Sequence, residues 1–171
     1  RAIGRGKKLS MPIEAILSVI QSAFEEGAAD LVQLNMDFCE EPDRGFDRLA
    51  PLVTAIKKRF NTFVALKGFP PTNSGTIDLM YASGFDIIDF PLGGFSGTVK
   101  SKRKMTAKQV YSALEYAAGV FPPGTVWTDI VLGTDPISQC KEGVDRLTDS
   151  GIIPLIYLER DINEDLDGYR N

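Results

Sequence analysis

The chain has 171 residues, 43% of them hydrophobic and 25% charged, a balance that fits one globular domain able to bury its own core. Its formal charge of -4 and pI near 4.9 argue against phosphate-backbone binding, so a nucleic-acid role is not expected. With no histidine and two cysteines, Cys39 and Cys140, it has no histidine acid/base or zinc chemistry and no disulfide framework.

In chain order, the stretch RAIGRGKKLS lacks the apolar core of a secretion signal, and no later run is long enough to span a bilayer. A cytoplasmic protein is expected. Apolar residues then recur at helical spacing from Pro12 to Glu26 (Ile13, Ile16, Leu17, Ile20, Phe24), with Ser10 as the expected cap and Gly27 as the stop. The strand DLVQLNM follows. A helix from about Phe46 to Phe60, the strand TFVALKG, a helix from about Ser74 to Ala82 and the strand FDIIDFP come next. The chain continues with a helix from about Thr106 to Val120, the strand TVWTDIVLG, a helix from about Ile137 to Thr148 and the strand IIPLIYL.

Five apolar strands separated each time by a helix predict a parallel α/β sheet. Glycine in EEGAAD, ASGFD and DSGIIP is placed for left-handed helix ends that turn the chain back to the sheet. The connections leaving the strands at their C-terminal ends are longer: NMDFCEEPDRG, KGFPPTNSG, FPLGGFSGTVKSKRK and LGTDPIS. Loops on that side carry function in both barrels and open sheets. Because the first such turn, NMDFCEEP, has no glycine-rich phosphate loop, a partial (β/α) TIM-like barrel is expected rather than a doubly wound sheet. A whole barrel takes about 250 residues. The chain is therefore expected to be one domain, residues 1–171, forming a portion of a barrel that extends before Arg1 and after Asn171.

The segment YAAGVFPPGTVWTDIVLGTDPISQCKEGVDRLTDSGIIPLI resembles the later half of the partial barrel in radical S-adenosylmethionine (SAM) enzymes. The likeness lies in a helix ending at a Pro/Gly stretch, a strand closing on an aliphatic-x-Gly turn, a helix containing EGVDRL, and a strand opening at Gly-Ile-Ile-Pro. It extends more weakly back to Pro12. The family's CxxxCxxC cysteines, which hold a 4Fe-4S cluster, are missing, and thiolates are needed to hold one. The resemblance therefore implies the SAM-binding part of a parent enzyme that cleaves SAM to a 5'-deoxyadenosyl radical. SAM and the 4Fe-4S cluster would belong to the intact parent, and this chain alone would bind neither and be inactive.

Carried over position by position, the resemblance implies that Asp37 approaches the SAM amino group and that Asp89 accepts the ribose hydroxyls. Gly133 would allow close backbone approach beneath the adenosine, Asp135 would stand at the rim, and Ile156 and Tyr157 would lie by the adenine.

Other readings of these residues stay open. Asp135 before Pro136 is an ordinary helix-cap arrangement, and Cys39 has no nearby base to activate it. Trp127 reads as core. Lys100, Lys102, Arg103 and Lys104 form a basic run next to Gly93, Gly94 and Gly97, so the chain could instead come from a conventional TIM-barrel enzyme. Such an enzyme would bind a phosphorylated metabolite through PLGGFSG and use Asp37 and Asp129 as acid/base groups. A non-catalytic barrel remnant is the third reading. A small-molecule partner is expected in the enzyme readings, with neither nucleic acid nor membrane as a partner. The open sheet edges of a barrel portion are expected to make the fragment self-associate.

Overall fold

The computed structural model describes residues 11–95, 105–133 and 135–158. Helices α1 (Ile13–Glu25), α2 (Ala50–Arg59), α3 (Gly75–Ala82), α4 (Ala107–Val120) and α5 (Ile137–Asp149) alternate with strands β1 (Leu31–Asn35), β2 (Phe63–Lys67), β3 (Ile87–Asp89), β4 (Val126–Leu132) and β5 (Ile153–Leu158). The strands form one parallel sheet in the order β1-β2-β3-β4-β5. Each new strand is added on the same side of the last. A doubly wound sheet reverses its strand order at a switch point, so this winding is that of a (β/α) barrel, as the loop pattern predicts.

Alternation along the strands divides the sheet into two faces. One carries Val64, Leu66, Ile88, Phe90, Val126 and Ile130, which are fully or almost fully buried with Ile56, Ile77, Leu114 and Leu147 of the helices. That packing is the core. The opposite face carries Asn35, Lys67, Asp89, Asp129 and Tyr157 toward the C-terminal ends of their strands. It corresponds to a barrel interior, and its upper layer is polar.

The three turns read as glycine-capped helix ends are so built, with Gly27, Gly84 and Gly151 at φ of 66°, 103° and 75°. Below the sheet, Asp86 is pinned by Lys57 Nζ at 2.9 Å and by the Val64 N–H at 2.7 Å, which fixes the entry into β3. The expected helix from Phe46 is a short 3-10 turn, Phe46–Arg48, before α2 begins at Ala50. Pro51 is the reason, since it suits a first helical turn and has no N–H to donate to the carbonyl of Asp47, four residues earlier. Thr106 and Gln109 form a reciprocal capping box that starts α4. Ser10, the expected cap of α1, lies outside the described residues, and Pro12 takes the N-cap position of that helix. Among the described residues no helix is long and apolar enough to cross a membrane.

Two helical glycines differ in what surrounds them. A Cβ on Gly143 in α5 would lie 2.2 Å from Cε1 of Phe95, whereas one on Gly119 in α4 would meet nothing within 4 Å. Gly119→Ala should therefore stabilise the protein by about 0.5–1 kcal/mol through helix propensity. Gly143→Ala should destabilise it by about 1–3 kcal/mol through overpacking, and by less in a Phe95→Ala background. Denaturant unfolding of the parent, the three single variants and the Phe95→Ala/Gly143→Ala double variant checks this, and equal effects at the two glycines would refute it.

Candidate functional site

Three strands each send one charged side chain to the same point. Lys67, the last residue of β2, is paired in register with Asp89, the last residue of β3, and Asp129 stands one side-chain layer farther along β4. The Lys67 Nζ lies 2.9 Å from Asp89 Oδ2 and 2.5 Å from Asp129 Oδ2. Asp89 is buried, with its side chain 6% exposed, while the lysine side chain is 29% exposed. The remaining oxygens, Asp89 Oδ1 and Asp129 Oδ1, are shielded from solvent and have no hydrogen-bond partner. Buried polar atoms left in this state are rare in folded proteins and mark places where a further donor belongs.

The electrostatics follow from that geometry. Burial pulls the Lys67 ammonium toward neutrality, but hydrogen bonds and charge from Asp129 and Asp89 outweigh it, so its pKa lies well above the ordinary 10.5. Lys67 is a fixed cation at neutral pH. A lysine that attacks carbonyls needs the opposite shift, so amine-nucleophile chemistry by Lys67 is disfavoured. Asp89 is held above the ordinary carboxylate value, chiefly by desolvation and also by the Asp129 charge, against the hydrogen bond from Lys67.

The loops above the cluster are tied down. Thr128 Oγ1 donates to the Phe90 carbonyl at 2.8 Å and accepts the Leu92 N–H at 3.1 Å, so the chain leaving β3 stays on β4. Gly93, at φ 80°, extends this pairing: its N–H donates to the Asp129 carbonyl and its carbonyl accepts from Val131 N–H. Phe95 then donates its N–H to Asp135 Oδ2 at 2.6 Å and seats its ring on Gly143. On the other side, buried Arg44, at φ 58°, reaches the Cys39 and Pro70 carbonyls at 2.8 and 3.2 Å and stacks on Phe38. It clasps the loops that follow β1 and β2.

The sequence-derived candidates are dispersed by this arrangement. Asp89 and Tyr157 belong to the cluster's face, with Lys67 Nζ 5.9 Å from the Tyr157 ring centroid. Asp37 is exposed in the loop after β1, and Gly133 is exposed at φ 111° after β4. Ile156 pairs with Ile130 and so lies on the helix side of the sheet, away from Lys67. Asp135 does not cap α5, whose N-cap is Pro136 without a side-chain hydrogen bond; its carboxylate holds the Phe95 N–H instead. Cys39 is half-buried and Cys140 buried, both as free thiols. Gly93 has no N–H left for a phosphate, and Gly97 and the Lys100 to Lys104 run lie outside the described residues.

The sequence does not single out Lys67, and Asp129 enters only through the conventional-barrel alternative. Their signal was a charge on the final or middle residue of an otherwise apolar strand, on the parity that faces a barrel interior.

Several solved structures match this architecture. The dihydropteroate synthase of Yersinia pestis with a pterine-sulfa conjugate superposes with a TM-score of 0.53 at 16% identity, over 91% of this chain and 58% of that one. The Coxiella burnetii dihydropteroate synthase in complex with pteroic acid gives 0.53 at 16% identity, over 91% and 56%. The 7,8-dihydropteroate synthase of Vibrio fischeri gives 0.51 at 15%, over 85% and 56%. The fold is shared with dihydropteroate synthases. The chain spans less than three fifths of the length of these neighbours. No family model matches the sequence, and no curated protein does.

These neighbours correct the radical SAM resemblance and, with it, the expected SAM and 4Fe-4S cofactors of a parent enzyme. Among the described residues no group of three or more Cys, Asp or Glu is placed to hold a metal ion, so the iron-sulfur and metal-binding expectations are withdrawn as well. The physical reason is that the quoted motif encodes a strand, a glycine turn, a helix and a second strand. Any (β/α) unit with a tight glycine turn satisfies it, whatever ligand the barrel takes. The conventional TIM-barrel alternative is the better supported.

The cluster's charges have measurable consequences. Lys67→Met leaves the buried Asp89 and the partly buried Asp129 without their shared cation and should cost about 3 kcal/mol near neutral pH. For Asp89 the raised pKa means that the folded state binds its proton more tightly than the unfolded chain does. Its contribution to stability is full below the ordinary 3.8 and lost as pH rises through the folded value. Asp89→Asn should therefore gain stability relative to the parent on going from about pH 4 to about pH 7. Urea unfolding of both proteins at each pH tests the sign, and a relative change in the other direction refutes it.

Proposed function

We propose that the chain is a substrate-binding portion of a conventional (β/α)-barrel enzyme that takes a small heterocycle of the pterin class at the C-terminal ends of β2, β3 and β4. One observation carries the reading: Asp89 Oδ1 and Asp129 Oδ1 are unpartnered acceptors beside a fixed cation. The cluster sets two unpartnered carboxyl oxygens beside one ammonium, so it favours a molecule rich in N–H donors. The aminopyrimidinone edge of a pterin offers an exocyclic amino group next to a ring N–H, a pair that a carboxylate accepts side by side. The flexible Lys67 side chain, which is partly exposed, can swing aside to admit this edge and then donate to the ring oxygen.

The fold neighbours support the same ligand class, since those from Yersinia pestis and Coxiella burnetii were solved with a pterine-sulfa conjugate and with pteroic acid. The phosphorylated-metabolite reading is weakened by the commitment of the Gly93 N–H to β4.

The test is a titration of the chain with pterin, followed by the emission of Trp127. This is the chain's one tryptophan, and it lies in register with Asp89 on the cluster's face. The parent chain should show saturable quenching, and Asp129→Asn should weaken it by about 1.5–3 kcal/mol, the usual worth of a hydrogen bond to a charged group. Absence of saturable binding, or affinity indifferent to both Asp89→Asn and Asp129→Asn, overturns the proposal.

A further inference from the structure

We infer that Tyr157 is the specificity-determining residue of this site, a stacking wall that selects a planar ring once its N–H edge has met the carboxylates. The inference rests on the binding reading above and adds the residue that grips the ring face. Its first support is position. In β5, Leu155 pairs with Asp129 and Tyr157 pairs with Val131, so Tyr157 projects from the same face as Asp129, one layer nearer the rim. The Lys67 Nζ lies 5.9 Å from the tyrosine ring centroid and 2.5 Å from Asp129 Oδ2, so ring and carboxylate flank the same ammonium.

The second support is how little else the ring does. Tyr157 is 49% exposed on the edge strand of the described sheet. The other described tyrosines are engaged elsewhere: Tyr81 packs edge-on against Phe121, Tyr116 donates to Asp78, and Tyr111 lies under Arg146. Among the described residues Tyr157 has no aromatic partner and its hydroxyl has no hydrogen bond, and its recorded interaction is the one with Lys67.

An aromatic ring beside a cation is attracted through its negative face, which holds that face toward the cluster. A planar ligand that enters over Lys67 would meet the same face and stack on it. Aromatic stacking tolerates many ring systems but rejects non-planar ones, so Tyr157 would select for flatness while Asp89 and Asp129 select for donors.

The experiment measures pterin affinity by Trp127 emission for the parent chain, Tyr157→Phe, Tyr157→Leu and Asp129→Asn, each first confirmed as folded by circular dichroism. Tyr157→Phe keeps the ring and should stay within about twofold of the parent, and Tyr157→Leu should weaken binding about tenfold. Tyr157→Trp, as a variant that preserves the wall, should bind at least as tightly, with its added indole emission quenched by the ligand. If the parent binds and Asp129→Asn weakens it while Tyr157→Leu binds as the parent does, the stacking wall is refuted and the carboxylate reading stands. If Tyr157→Phe loses as much as Tyr157→Leu, the hydroxyl is the contact and the inference also fails. If the parent chain shows no saturable binding, both readings fall together.

Discussion

The arrangement depends on one ammonium group shared by two carboxylates. Lys67 joins the ends of β2 and β3 to the middle of β4 through contacts of 2.9 and 2.5 Å to Asp89 and Asp129. In the partly shielded interior of a barrel these charges interact more strongly than they would in water, and they are correspondingly costly to separate. An apolar set of residues of similar size could hold three strands together with less risk. That this protein instead buries charge, and leaves two carboxylate oxygens without partners, is the observation on which the proposed recognition role rests.

Such a cluster needs a rigid support, and the opposite face of the sheet supplies it. Val64, Leu66, Ile88, Phe90 and Ile130 lock β2, β3 and β4 onto the helices, with almost none of their surface exposed. The backbone under Lys67, Asp89 and Asp129 is therefore held by groups that lie outside the cluster. The loop after β3 is fixed by a second set of contacts through Thr128, Gly93, Asp135 and Gly143. Gly143 shows the cost of that support. A glycine inside a helix sacrifices about 1 kcal/mol, and here the loss makes room for the Phe95 ring that anchors the loop.

The radical SAM resemblance shows how a real pattern can point at the wrong chemistry. LGTDPIS and GIIPLI do mark the end of β4, the start of α5 and the entry to β5. What they describe is the geometry of a (β/α) repeat, which many barrels share. Asp135, which reads as either a cofactor neighbour or a helix cap, accepts the N–H of a residue forty positions earlier in the chain, and the N-cap of α5 is Pro136.

The sequence by itself determined the α/β class, the alternation of five strands with five helices, the glycine-capped returns and the face on which the long loops emerge. All of these follow from local periodicity and from backbone preferences within a few residues, which a linear reading can detect. It named Asp89, and Tyr157 together with Ile156, only through the radical SAM resemblance. The tertiary structure alone decided that Lys67, Asp89 and Asp129 meet. Their meeting depends on strand register between segments 22 and 62 residues apart, set by packing of the opposite face rather than by any local signal. It also separated Tyr157 from Ile156, adjacent in sequence and on opposite faces of the sheet, because successive side chains of a strand point in opposite directions.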